Sequence, residues 1–250
     1  MIIHGDCLDI MPTLEDKSID MILCDLPYGT TACKWDTIIP FEPLWAQYKR
    51  LIKDNGAIVL TASQPFTSAL VMSNPGWFKY CWVWEKNRPT DKFNAKNRPM
   101  RKHEDVCVFS DGTTANCSNR RMAYHPQGTR DCHIEIRGTT GQWSSTKRAS
   151  HKERYILETT GYPTSVLRFN KDEQHEHNTQ KPVALFEYLI RTYTNEGDTV
   201  LDNCAGSFTT AIACLNTNRK YICIEKDKKY FEIGKNRINN HQPLFQRAQL

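Results

Sequence analysis

The sequence predicts an α/β fold, a doubly wound and mostly parallel sheet carrying an inserted, loop-rich segment. Three observations point there. Short apolar runs alternate with stretches of helical spacing, first over residues 1–110 and again over 171–240. Two of those runs close on a carboxylate, Asp25 after residues 19–24 and Glu225 after 221–224, and open α/β sheets keep their sites at such strand ends. Between the two blocks, residues 111–170 lose periodicity and fill with Gly, Ser, Thr, Arg and His. Residues 241–250 read as a frayed tail.

Residues 1–4 read as a strand, 19–24 as a second and 57–62 as a third. Between the last two, Phe41, Leu44, Trp45, Tyr48, Leu51 and Ile52 recur at helical spacing and Asn55-Gly56 supplies a stop. Strand, helix and strand in that order imply a parallel pair. Residues 65–73 suit a helix and 78–84 and 106–110 suit strands, with a basic, proline-punctuated loop over 85–104 between them. In the insert, Ile134, Ile136, Trp143, Tyr155, Ile156, Leu157, Val166, Leu167 and Phe169 supply apolar anchors. Beyond it, 182–193 reads as a helix opening on Pro182, 199–202 as a strand, 209–215 as a helix, 221–224 as a strand and 227–238 as a helix.

Hydrophobic residues at 39% and charged residues at 24% of 250 are those of a soluble globular protein. Met1 leads at once into Asp6 and Asp9, and no apolar run approaches the roughly 20 residues that span a bilayer, so no signal peptide and no membrane partner are expected and the cytoplasm is the expected setting. The ten cysteines are scattered without a C-x-x-C pair, and Cys24, Cys107, Cys214 and Cys223 fall in expected core elements as small hydrophobes. His175-Glu176-His177 lacks partners at ligand spacing, so no metal is implied. The net charge of +5 is concentrated: residues 79–104 carry eight Lys/Arg against three acids and 111–170 nine against five. Positive charge gathered in this way suits a polyanion, or a solvated basic surface.

Two motifs carry chemistry. Asp25-Leu26-Pro27-Tyr28 sets a carboxylate, a rigid turn and an aromatic ring at a strand end, which suits a planar base with an exocyclic amine. Val200-Leu201-Asp202-Asn203-Cys204-Ala205-Gly206-Ser207-Phe208-Thr209-Thr210 reads as strand, small-residue turn and helix, followed about 20 residues later by Glu225, a spacing that fits a nucleoside cofactor. Thr179-Gln180-Lys181-Pro182 places a lysine at a helix start, where an anionic group is favoured.

Taken in this order, the motifs resemble the DNA N6-adenine/N4-cytosine methyltransferases, in the permuted β class where the catalytic motif precedes the target-recognition segment and the cofactor motifs come last. Gly5-Asp6-Cys7-Leu8-Asp9, Trp84-Glu85-Lys86 and Arg101-Lys102-His103-Glu104 belong to the same resemblance. It implies a Rossmann-like methyltransferase domain over 1–110 and 171–240, with 111–170 as target-recognition insert, and a site-specific enzyme moving methyl from S-adenosylmethionine to the N6 amine of a flipped-out adenine in double-stranded DNA. N4 of cytosine, an RNA base, or a DNA binder with weak catalysis are its alternatives.

The resemblance also assigns residues. Asp25 and the carbonyl of Leu26 accept the amine hydrogens, Pro27 stiffens the turn and Tyr28 stacks on the base. Asp6 and Cys7 lie near the cofactor's adenine, Glu225 on its ribose, Asp202, Asn203, Gly206, Ser207, Phe208 and Thr209 around its methionine part, and Thr179 and Lys181 on its carboxylate. Leu26 stands where the family usually has proline, and Phe208 where it tends to have glycine, so the Phe208 ring either narrows the cofactor pocket or turns outward. DNA contacts are expected from Lys86, Arg88, Lys92, Lys96 and Arg98 on the basic loop and from Arg120, Arg121, Arg130, Arg137, Lys147 and Arg148 in the insert. A homodimer and a cognate restriction endonuclease are the further partners the resemblance brings.

Overall fold

The computed structural model describes residues 1–30, 36–137, 154–170 and 180–241. Thr179, Lys147, Arg148, the 175–177 triplet and the tail beyond 241 lie outside the described residues, as does the side chain of Arg137. The chain divides into two units, one of residues 1–125 and 165–250 and one of residues 126–164. In chain order the strands and helices are β1 (Ile2–His4), α1 (Cys7–Ile10), β2 (Ile19–Asp25), α2 (Phe41–Leu51), β3 (Ile52–Ala62), α3 (Phe66–Ser73), β4 (Phe78–Thr90), β5 (Arg101–Phe109), β6 (Arg130–Arg137), β7 (Arg154–Thr160), β8 (Val166–Arg168), α4 (Val183–Tyr193), β9 (Thr199–Asp202), α5 (Thr209–Asn216), β10 (Lys220–Glu225) and α6 (Lys228–Asn239).

The first unit is an eight-stranded sheet in the order β1-β10-β9-β2-β3-β5-β4-β8. Only β5 runs against its neighbours; every other pairing is parallel. Each central strand feeds two cores because side chains alternate across the pleat. Ile22 and Cys24 of β2 and Ile58 and Leu60 of β3 join Leu44, Trp45, Tyr48 and Leu51 of α2 and Phe66 and Leu70 of α3. Met21 and Leu23, with Ala57 and Val59, face the other way onto Leu185, Phe186, Leu189 and Ile190 of α4 and Ala213 of α5. Helices after β9 and after β2 therefore cover opposite faces. The crevice of a doubly wound sheet opens at such a reversal, here between the ends of β9 and β2.

Two expected boundaries shift. The helix over 41–52 ends at Leu51, and residues 52–56 enter the sheet rather than forming a stop; a Cβ on Gly56 would lie 2.7 Å from the Asp20 carbonyl, so this irregular stretch of β3 depends on a bare backbone. The basic loop over 85–104 is mostly ordered strand, since β4 runs to Thr90 and β5 begins at Arg101. That leaves 91–100 as the tip of a long hairpin. Both β3 and β4 oppose β5, so β4 runs parallel to β3 and the tip stands at the carboxyl edge of the sheet. The sequence pattern also passed over α1, whose start Asp6 caps by accepting the Leu8 N–H at 2.9 Å.

Residues 111–170 do not stay together. Residues 111–125 and β8 belong to the first unit, where Met122 and Leu167 enter the core. The second unit is built on the antiparallel pair β6 and β7.

Candidate active site

The carboxyl ends of β1, β10, β9, β2 and β4 surround one cavity of about 890 Å³. Asp6, Cys7, Asp25, Leu26, Pro27, Tyr28, Lys181, Asp202, Asn203, Gly206, Ser207, Thr209 and Glu225 all line it. Motifs separated by almost 200 residues thus meet because β2 and β9 are neighbours in the sheet.

Asp25 is the last residue of β2, and its carboxylate is fully engaged on one oxygen. Oδ1 accepts the Tyr28 hydroxyl at 2.7 Å and the Thr61 hydroxyl, while Oδ2 accepts Lys181 Nζ at 2.8 Å. Tyr28 stacks on Phe66 with ring centroids 5.2 Å apart, and burial first, then the Asp25 charge, push its hydroxyl well above the ordinary tyrosine range. It serves here as a neutral donor. Leu26 sends its side chain into the core at 4% exposure, so its contribution to the cavity wall does not need the proline ring. The loop that follows is held by Asp36, whose carboxylate accepts the N–H groups of Gly29 at 2.8 Å and Thr30 at 2.9 Å.

On the nucleoside side, Glu225 accepts the Gly206 N–H and the Asp227 N–H, each at 2.7 Å. Burial raises its carboxyl above the usual range, against those backbone donors. Gly206 adopts φ +52° with open space where a Cβ would stand, so backbone itself faces the cavity. Asp202 is buried, accepts the Thr210 hydroxyl and the Cys204 N–H, and is pushed up to about 7 by burial. Asn203 is fixed by the Tyr48 hydroxyl at 2.6 Å. Asp6 is paired with Lys226 at 2.8 Å, which together with the Leu8 N–H holds its carboxyl below the usual range. A carboxylate with free lone pairs at a strand end, an open glycine turn and several acids fit the hydroxyls and the positive sulfonium of S-adenosylmethionine.

Two expected site residues are placed elsewhere. Phe208 does not line the cavity: it is fully buried in the left-handed region at φ 60°, and its ring packs edge-on against Phe231 at 5.8 Å. The room comes from Gly234 on α6, where a Cβ would lie 2.6 Å from that ring. Lys86 is off the exposed surface of the basic segment: it is 3% exposed, paired with Glu104 Oε1 at 3.2 Å, and lines the cavity wall. Arg88, Lys92, Lys96 and Arg98 are exposed on or near the hairpin tip, though Arg98 is paired with Asp91 at 2.7 Å. Arg120 and Arg121 are exposed in the first unit, Arg120 paired with Asp111 at 2.7 Å, and Arg130 is exposed on β6 of the second.

Sequence reasoning missed Thr61, Asp36 and Glu104 as site residues. A polar residue closing an apolar strand was the available signal for Thr61. Glu104 sits in a charged quartet that only the tertiary fold assembles: Lys181, 7% exposed, lies 2.8 Å from Asp25 and 3.1 Å from Glu104, whose other oxygen meets Lys86. Burial disfavours the charge on Lys181, but Asp25, Tyr28 and Glu104 outweigh it and keep the ammonium well above its ordinary value. Glu104 is likewise held below its usual range, burial being overcome by the two lysines.

Comparisons with known proteins bear on the family of the chain. The chain is 26% identical to the type II methyltransferase M2.MboI of Moraxella bovis, over 97% of this chain and 89% of that protein. It is 27% identical to the DNA adenine methyltransferase YhdJ of Escherichia coli (strain K12), over 95% and 82%. The crystal structure of the M1.HpyAVI–SAM complex superposes with a TM-score of 0.62 at 26% identity, over 95% of this chain and 98% of that one. The family model described as DNA methylase matches residues 19–236, and the chain belongs to that N6/N4 DNA methylase family.

Proposed function

We propose that the chain methylates N6 of adenine at a specific site in double-stranded DNA, with Asp25 as the acceptor that readies the amine. The enzyme is an S-adenosylmethionine-dependent DNA methyltransferase, and the observation that carries the residue assignment is the hydrogen-bond state of Asp25. Each carboxylate oxygen offers two lone pairs. Oδ1 spends both on Tyr28 and Thr61, whereas Oδ2 keeps one beside Lys181, directed at the cavity that Asp25 lines. An adenine amine is a poor nucleophile because its lone pair is delocalised into the ring. Accepting one hydrogen on Asp25 Oδ2 and the other on the Leu26 carbonyl favours a pyramidal nitrogen, and Asp25 then takes the proton that the nitrogen sheds. S-adenosylmethionine supplies the electrophilic methyl group. The rest is positioning and fixed charge.

Glu225 and Gly206 hold the ribose, Asp6 the cofactor's adenine, and Asp202, Asn203, Ser207 and Thr209 surround its methionine part. The target base reaches the cavity by rotation out of the duplex, since its amine is otherwise paired. Tyr28, braced by Phe66, lines the cavity that receives that base. The basic hairpin tip, Arg120 and Arg121 of the first unit and Arg130 of the second contact the DNA. The type II naming of M2.MboI supports pairing with a restriction endonuclease, and the family resemblance supports a homodimer, which sedimentation checks. Among the described residues no helix is long and apolar enough to cross a membrane, and the nine described cysteines are all free, which suits an enzyme working on DNA inside the cell.

Incubating the protein with labelled S-adenosylmethionine and unmethylated DNA, then digesting to nucleosides, tests the reading. Label is expected in N6-methyldeoxyadenosine, and Asp25→Ala is expected to lower it at least about 100-fold. Label in N4-methyldeoxycytidine, or an undiminished Asp25→Ala, would overturn the assignment.

A further inference from the structure

The quartet Lys86–Glu104–Lys181–Asp25 is the most highly organised charged feature that the methyl transfer above leaves unused. Resting on that reading, we propose that Lys181 is a positioning residue of Asp25, held in place by Glu104, and not a ligand of the cofactor's carboxylate.

The geometry is specific. An ammonium has three donors. On Lys181 one points at Asp25 Oδ2 at 2.8 Å, one side faces Glu104 Oε2 at 3.1 Å, and the remaining side lies over the Tyr28 ring at 5.6 Å. A further anion would have to displace one of these partners, and the two carboxylates are fixed in the sheet, Asp25 at the end of β2 and Glu104 within β5. Glu104 is itself set by Lys86, whose Nζ also lies 3.3 Å from the Thr90 hydroxyl. Trp84 pairs with Glu104 across the β4/β5 ladder, so the Trp84-Glu85-Lys86 and Arg101-Lys102-His103-Glu104 motifs form one support. Two positive and two negative charges leave it neutral, as a buried ionic cluster must be.

The consequence falls on Asp25. A carboxylate that is to accept from a neutral amine must keep its free lone pair aimed, and Lys181 does this by gripping the oxygen that meets the amine.

The test compares wild type with Lys181→Gln, Lys181→Arg and Glu104→Gln, using kcat for methyl transfer to DNA and S-adenosylmethionine binding by calorimetry, with thermal unfolding as a check on the fold. Removing the Lys181 ammonium is expected to cut kcat at least about tenfold. Cofactor Kd changes less than threefold, and Lys181→Arg returns kcat toward wild type. Glu104→Gln lowers kcat in the same direction at unchanged cofactor Kd, since Lys181 then loses one of its anchors, and this arm stands even where Lys181→Gln does not fold. An unchanged kcat, or a cofactor Kd weakened tenfold or more, would overturn the proposal, the second outcome making Lys181 a cofactor ligand. Wild-type enzyme that labels no adenine would instead overturn the underlying reading of the site.

Discussion

At the scale of single residues, Phe208 holds a backbone conformation that costs a bulky side chain about 1–2 kcal/mol. It persists because the ring fills a space that Gly234 leaves open on α6. Phe208→Gly relieves the strain but empties a core site worth about 3–5 kcal/mol, so a net loss of about 2 kcal/mol is expected in denaturant unfolding, with calorimetric S-adenosylmethionine affinity unchanged. Gly234→Ala is expected to cost about 1–3 kcal/mol by forcing the ring to move. A weakened cofactor at unchanged stability would mean that the ring faces the cavity after all. Neither outcome was legible in the sequence. The direction of the ring depends on a glycine 26 positions away, just as the burial of Lys86 depends on Glu104 and Lys181.

At the scale of elements, the β4–β5 hairpin does two jobs on its two halves. Near the sheet it buries Lys86 and Glu104 beside Lys181, the partner of Asp25, and at or near its tip it presents Arg88, Lys92 and Lys96 to solvent. Replacing those three by Gln is expected to reduce the slope of log K against log salt for DNA binding by up to about 0.9 per residue, with the unfolding temperature little changed. Lys86→Met is expected to do the reverse, leaving the slope and lowering the unfolding temperature, because it removes one of the two lysines that balance the buried Glu104 charge. Sequence periodicity found both strands but cut them short. Charged residues at buried positions look like loop until their partners across the ladder are known. The same reasoning explains residues 52–56, whose charged, glycine-containing pattern resembles a helix stop while the backbone joins β3.

At the scale of the whole molecule, the parallel order of the sheet and the gathering of Asp25, Asp202 and Glu225 at one edge were legible, because strand ends in this topology must share that edge. What gathering acids in a crevice does to stability follows from linkage. Asp202 titrates near 7 in the folded protein against about 3.9 in an unfolded chain, so the folded state binds the extra proton. Its contribution is complete below about pH 4 and is lost as pH rises through about 7. Unfolding free energy is therefore expected to fall between pH 5 and pH 8, and to fall less in Asp202→Asn. A wild-type curve no steeper than that of the variant would show that Asp202 ionises without penalty.

The pairing of β2 with β9 has a further meaning for how the protein is made. Asp25 leaves the ribosome early, yet Lys181 and the strand that flanks β2 follow more than 150 residues later. During that interval Asp25 and Glu104 are two like charges at the open edge of a sheet whose second core lacks α4 and α5. A chain cut short before residue 181 therefore lacks Lys181, Asp202 and Glu225, which line the same cavity as Asp25.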